Sequence, residues 1–139
     1  MMMSTDNILK KHNLRVTPFR TLVLSLFTSA GKALSSHDLE TELQDADRIT
    51  LYRTLKSFEE KGIIHKAIDG TITQKYALCE NECSEYHHHD EHVHFHCEKC
   101  ENTFCLEQVF VPRVRMPDGF SAKQTNMVVS GVCDHCVLD

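Results

Sequence analysis

Two cysteine pairs dominate the chemistry open to this chain: Cys97-Glu98-Lys99-Cys100 and Cys133-Asp134-His135-Cys136. Each Cys-x-x-Cys turn aims two thiolates at one point, and two turns complete the four-sulfur tetrahedron of a structural zinc site. The rival chemistry is a redox dithiol, which belongs with a βαβ pattern that surrounds neither pair. Zinc at this site would make the folding of the segment metal-dependent. The seven cysteines also include Cys79, Cys83 and Cys105. Their odd number, in a chain read as cytoplasmic, argues against a disulfide framework.

A second donor cluster runs His87-His88-His89-Asp90-Glu91-His92-Val93-His94-Phe95-His96. Such a histidine density favours metal over a solvated strand face. From His92 onward, alternation puts His92, His94 and His96 on one face of a strand and Val93 and Phe95 on the other. No His-Glu-x-x-His is present, which excludes the helical zincin arrangement.

The chain has 139 residues, 41% of them hydrophobic, with 20 acidic residues against 15 basic. Those figures fit a folded globular protein and not a disordered one. No apolar run nears the roughly 20 residues of a membrane span. Met1-Met2-Met3-Ser4-Thr5-Asp6 carries no basic-then-apolar export pattern, so the cytoplasm is the expected compartment. The averages hide a division. Residues 1–78 hold 11 Lys+Arg against 9 Asp+Glu (net +2), and residues 79–139 hold 4 against 11 (net −7), which together make −5. All seven cysteines and seven of the ten histidines lie beyond residue 78. Two modules are expected, 1–78 and 79–139, in an α+β fold.

The first module must position any DNA contact. Ser4 caps a short helix to about His12. Thr17-Pro18 opens a second, whose apolar face is Phe19, Leu22, Val23, Leu26 and Phe27, ending at Ala30-Gly31. Ser35 and Asp38 make a capping box for a third helix that buries Leu39 and Leu43. Asp47 caps a fourth, with Leu51, Leu55 and Phe58 inward and Gly62 at its end. Asp69-Gly70 then reads as the tight turn of a hairpin between residues 63–68 and 72–78. The last three helices and this hairpin describe a winged helix-turn-helix. Its recognition helix, around residues 48–60, exposes Arg48, Thr50, Tyr52, Arg53 and Lys56 to the major groove. Arg15 and Arg20 lie where they reach phosphates or the minor groove. The competing reading is a small helical bundle with solvated charges, and a net of +2 is weak support for DNA binding. In the second module, Thr103–Glu107 and Lys123–Ser130 read as strands, and Met127-Val128-Val129 suits pairing between subunits.

Leu14-Arg15-Val16-Thr17-Pro18-Phe19-Arg20, Thr50-Leu51-Tyr52-Arg53-Thr54-Leu55, Glu60-Lys61-Gly62-Ile63-Ile64, His92-x-His94-x-x-Cys97-x-x-Cys100 and Gly131-x-Cys133-x-x-Cys136 occur in this order. The ordered set resembles the ferric uptake regulator family of metal-sensing bacterial repressors over nearly the whole chain. The resemblance implies an N-terminal winged helix, a C-terminal α/β dimerisation domain with the four-cysteine zinc site, and a regulatory ion at the hinge. It also implies a homodimer on AT-rich inverted repeats of double-stranded operator DNA, with Tyr52 and Arg53 in the major groove and Arg15 near the minor groove.

The same resemblance separates the metals. Ala33 and Ala77 stand where iron- and peroxide-sensing members carry a histidine and an acidic ligand, and His37 lies four residues from the first. His65, Cys79, His92 and His94 match the regulatory ligands of zinc-sensing members, a closed N/S set that suits zinc. Iron(II) prefers nitrogen and oxygen donors, so zinc is the expected signal, with an iron or peroxide sensor as the alternative. Cys83 and the His87–His89 run compete as ligands. The family's third site would need Glu91 and Val93; valine cannot ligate, so that site is expected to be absent or rebuilt around Cys105. A metal buffer without DNA affinity is the rival outside the family. Glu91 beside His92 has no pocket-forming pattern around it, so neither an enzyme nor a small-molecule substrate is expected.

Overall fold

The computed structural model describes residues 4–78, 93–106, 109, 111–123 and 125–138. The candidate ligands Cys79, Cys83, His87, His88, His89, Asp90, Glu91 and His92 lie outside them. The order is α1 (Thr5–Lys11), α2 (Pro18–Ala30), β1 (Leu34–Ser35), α3 (Ser36–Glu42), α4 (Arg48–Glu60), β2 (Ile64–Ala67), β3 (Lys75–Leu78), β4 (Val93–Cys97), β5 (Thr103–Leu106), β6 (Met127–Gly131) and α5 (Asp134–Val137). Among the described residues these elements make an α+β arrangement with two three-stranded sheets, ordered β1-β3-β2 and β5-β4-β6. Among the described residues no helix is long and apolar enough to cross a membrane.

The helix boundaries follow local chemistry. Ser4, Thr17, Ser35 and Asp47 each accept a backbone N–H three residues on, and Ser35 and Asp38 close the full capping box. Gly31 takes φ 66° after α2, a left-handed cap that side chains rarely adopt. Leu39, Leu43, Leu51, Leu55 and Phe58 all enter one core with Leu9, Val23, Leu24, Phe27 and Ile64. Four of the five residues expected on the inner face of α2 meet the core: Val23 and Phe27 lie in it, and Phe19 and Leu26 pack against it. Val23, Leu24 and Phe27 are buried, and Leu22 is 48% exposed. Leu22 and Leu24 both border this stripe, and only the neighbours of α2 decide which of the two is covered.

The hairpin also departs from expectation. β2 ends at Ala67 and β3 begins at Lys75, so residues 68–74 form a wide loop and not a two-residue turn. Asp69 is pulled inward, only 3% exposed, while Ile72 stands fully in solvent. Thr103 of the second sheet, Lys75 of β3 and Thr71 of the loop hold the Asp69 carboxylate, and that outweighs the local Asp-Gly preference. The short strand β1, which pairs Leu34 with Tyr76, is a further element without a periodic signal.

In the second sheet β4 is central. It runs antiparallel to β5 and parallel to β6, with Cys97 opposite Gly131. A Cβ at Gly131 would meet the Phe95 ring at 3.3 Å, so glycine lets the two strands close beside the cysteine knuckle. The sheets also meet directly. The Ala33 amide donates to the Thr103 carbonyl at 2.8 Å, and Lys32 Nζ donates to Asn102 Oδ1 at 2.9 Å.

Candidate metal centres and nucleic-acid face

Cys97 ends β4, Cys100 follows one turn later, and Cys133 and Cys136 flank the start of α5 and lie within it. Their four sulfurs all lie within 4.8 Å of one another. The amides of Cys100 and Cys133 each donate to Cys97 Sγ at 3.4 Å. These donors, Cys100 first, hold the Cys97 thiol down to about 6, against the opposing effect of burial. The hydrogen bond with Cys133, then burial and the other sulfurs, push Cys136 up to about 12. One thiolate is thus favoured and a cluster of them is not, since like charges this close suppress each other's ionisation. A divalent cation removes that conflict, and four thiolates are the donor set of structural zinc. The residues fit the metal.

The second donor group lies at the seam between the sheets. His65 of β2 and His94 of β4 are both buried, with their Nε2 atoms 3.4 Å apart. Cys105 of β5 brings Sγ to 3.5 Å from His65 Nε2. All three donor atoms lie within 4.8 Å of one another. Strand register explains the meeting: His94 sits directly opposite Cys105, so both side chains leave one face of the sheet. Two imidazoles and a thiol suit zinc and leave room in its coordination for a further ligand.

His65 and His94 therefore meet as the resemblance implied, and Cys79 and His92 lie outside the described residues. Cys105 has a place of its own in this group. It lies with His65 and His94, because the β4–β5 pairing turns it toward the seam. Its signal was available: the knuckle turn places residues 94 and 105 symmetrically about itself. Around Cys105 pack the buried methyl groups of Ala33, Ala67 and Ala77. His37 is exposed on α3 and belongs to none of the donor groups found among the described residues.

The exposed face of α4 carries Thr50, Tyr52, Arg53 and Lys56, with Tyr52 62% exposed. Two side chains expected there have internal partners. Arg48 Nε lies 3.2 Å from Glu40 Oε1, and the Thr50 hydroxyl donates to the cap residue Asp47 at 3.0 Å. Arg15 is exposed, and Arg20 donates to the Arg15 carbonyl at 2.8 Å, so Arg20 shapes the loop that presents Arg15.

Comparison with known proteins follows the same lines. Residues 11–129 match the profile of the ferric uptake regulator family. The chain is 28% identical to the zinc uptake regulation protein of Escherichia coli, over 99% of this chain and 81% of that protein. It is 27% identical to the ferric uptake regulation protein of Bordetella parapertussis, over 96% and 97%. Its fold is similar to that of holo XcZur, with a TM-score of 0.65 at 23% identity, over 96% and 94% of the chains. A zinc uptake regulator solved in complex with zinc and DNA is similar too, with a TM-score of 0.64 at 24% identity, over 96% and 90%.

Proposed function

Because the chain belongs to the ferric uptake regulator family, we propose that it is a zinc-responsive transcriptional repressor, binding AT-rich operator DNA as a cytoplasmic homodimer. Residues 1–78 form the winged-helix DNA-binding domain and residues 79–139 the dimerisation domain. Cys97, Cys100, Cys133 and Cys136 hold a structural zinc. His65, Cys79, His92 and His94 remain the regulatory set that the resemblance implies, and Cys105 competes with them for one of the four positions around the ion. The observation that carries this reading is the convergence of His65, His94 and Cys105 from three strands of two sheets.

These residues can turn occupancy into posture. His65 moves with the β2–β3 wing, and His94 and Cys105 move with β4 and β5. Zinc at this site, when bound, supplies the charge that keeps the donors together. With them together the wing has one orientation; with them apart it samples several. Only some orientations present both recognition helices of a dimer at half-site spacing. Operator and metal then strengthen each other's binding equally.

Zinc is favoured over iron by what surrounds the donors. Ala33 and Ala77 are buried and offer no ligand where iron sensors carry theirs, and Cys105 adds a soft thiolate. The test is metal content of protein purified from cells, with and without Cys79→Ser. About two zinc ions per chain are expected, falling to about one in the variant, with loss of zinc-dependent operator binding. Iron in the labile site, or zinc-responsive gel shifts retained by Cys79→Ser, would reject the assignment. A metal buffer would bind more ions and show no duplex affinity with a salt slope.

For the DNA face, Arg53→Ala is expected to weaken operator binding by about 1–3 kcal/mol and relax base preference at one position. Fluorescence anisotropy against single-base operator variants reads both effects. A uniform loss across sequences would make Arg53 a phosphate contact instead.

A further inference from the structure

Asp69 uses its two carboxylate oxygens on different parts of the molecule. Oδ1 accepts from the Thr71 amide at 2.9 Å and the Thr71 hydroxyl at 2.6 Å, which shapes the loop of the hairpin. Oδ2 accepts from the Thr103 hydroxyl of β5 at 2.6 Å and lies 3.0 Å from Lys75 Nζ. The Thr103 hydroxyl has one proton, which it gives to Asp69, and two lone pairs. Those accept from Lys75 Nζ at 3.0 Å and His96 Nδ1 at 3.2 Å. Lys75 Nζ also donates to the Glu101 carbonyl at 2.9 Å, and His96 Nε2 lies 3.2 Å from Glu101 Oε2.

Burial raises the Asp69 carboxyl, but donors from Thr103, Thr71 and Lys75 outweigh it and hold the group well below the ordinary carboxylate range. It therefore stays anionic through neutral and mildly acidic pH. A buried ion pair adds little net stability, because both partners lose their hydration. Breaking one partner, however, leaves an uncompensated charge, so the network strongly disfavours other arrangements of the same parts. Its members come from the hairpin on one side and from β4 and β5 on the other. His96 sits two residues from His94 on the same face of β4. The network thus lies beside the hinge donors.

We propose that Asp69 is a positioning residue that latches the DNA-reading hairpin onto the β4–β5 sheet and so transmits metal occupancy to the wing. The proposal rests on the metal-responsive regulator reading above. Without the latch, His65, His94 and Cys105 still collect the ion, and the wing is no longer carried into one orientation by doing so.

The test uses full-length protein and a duplex selected from a random pool by the zinc-loaded wild type. Duplex affinity is measured with and without added zinc for wild type, Asp69→Asn, Thr103→Val and the double variant. Both single variants are expected to keep the structural zinc and the wild-type affinity in the absence of added zinc. The gain on adding zinc is expected to fall roughly tenfold. The double variant loses little more than either single, since both weaken the same junction between the hairpin and β5. Thr103→Val keeps the shape and strand preference of the residue, and it carries the test if Asp69→Asn fails to fold. A zinc-driven gain in Thr103→Val equal to that of a responsive wild type overturns the latch alone. A wild type that enriches no duplex overturns the regulator reading and the latch with it.

Discussion

Cys97→Ser is expected to unfold the second sheet and release the structural zinc. Cys97 is buried, receives two amide hydrogen bonds, and closes β4 opposite Gly131 at the point where both knuckles meet. Serine keeps the volume but ligates zinc far more weakly than a thiolate. Structural zinc contributes on the order of 10–16 kcal/mol of apparent binding energy to small modules at neutral pH, and most of it disappears when one ligand fails. That is comparable to the roughly 5–15 kcal/mol by which a whole domain is stable. The sheet holds few large buried side chains of its own, Val93 foremost, so little remains to keep it folded. Zinc content is expected to fall by about one ion per chain, with loss of dimer and of hydrogen-exchange protection on β4. The α2–α4 core, built around Phe58 and Leu55, keeps its protection. A variant that retains its zinc and a native melting curve would show that the cysteine cluster is not what holds this sheet.

Cys105→Ser is expected to leave the fold and structural zinc intact and to remove the response to added zinc. Its side chain is only partly buried, against three alanine methyl groups, so the substitution costs little packing. It removes the thiol that meets His65 at 3.5 Å, and with it the soft member of the described donor group. Couplings between effector and ligand run to about 1–3 kcal/mol, so zinc-loaded operator affinity should drop by roughly 5–150-fold. Zinc-free affinity should not change. Acid is expected to mimic the variant in the wild type, because the thiols must ionise and the imidazoles must be neutral to ligate. An unchanged zinc response in Cys105→Ser would place the signal on other ligands, Cys79 and His92 first.

The contrast between the two cysteines marks how far the residues could be read in isolation. The pairs Cys97/Cys100 and Cys133/Cys136 were legible because each ligand pair is made by a turn of four residues, and local geometry is written in local spacing. The caps at Ser35 and Asp47, the helices they open and the inward Leu51-Leu55-Phe58 face were legible for the same reason. The turn at Asp69-Gly70 was not. Its preference for a tight hairpin is weaker than four donors that arrive from residues between two and thirty-four positions away. The burial of Leu24 instead of Leu22 at the edge of the α2 face was decided in the same manner.

The sequence by itself determined the helix boundaries, the two-module charge division, the four-sulfur centre and the pairing of His65 with His94 through family resemblance. Only the tertiary structure decided that Cys105 faces those histidines, that Ala33 and Ala77 wall the donors with methyl groups, and that Asp69 spans both sheets. Those facts depend on strand register and on how one sheet docks against the other. Both are set by summed packing and hydrogen bonding among residues distant in the chain, and no short stretch of residues encodes such a sum.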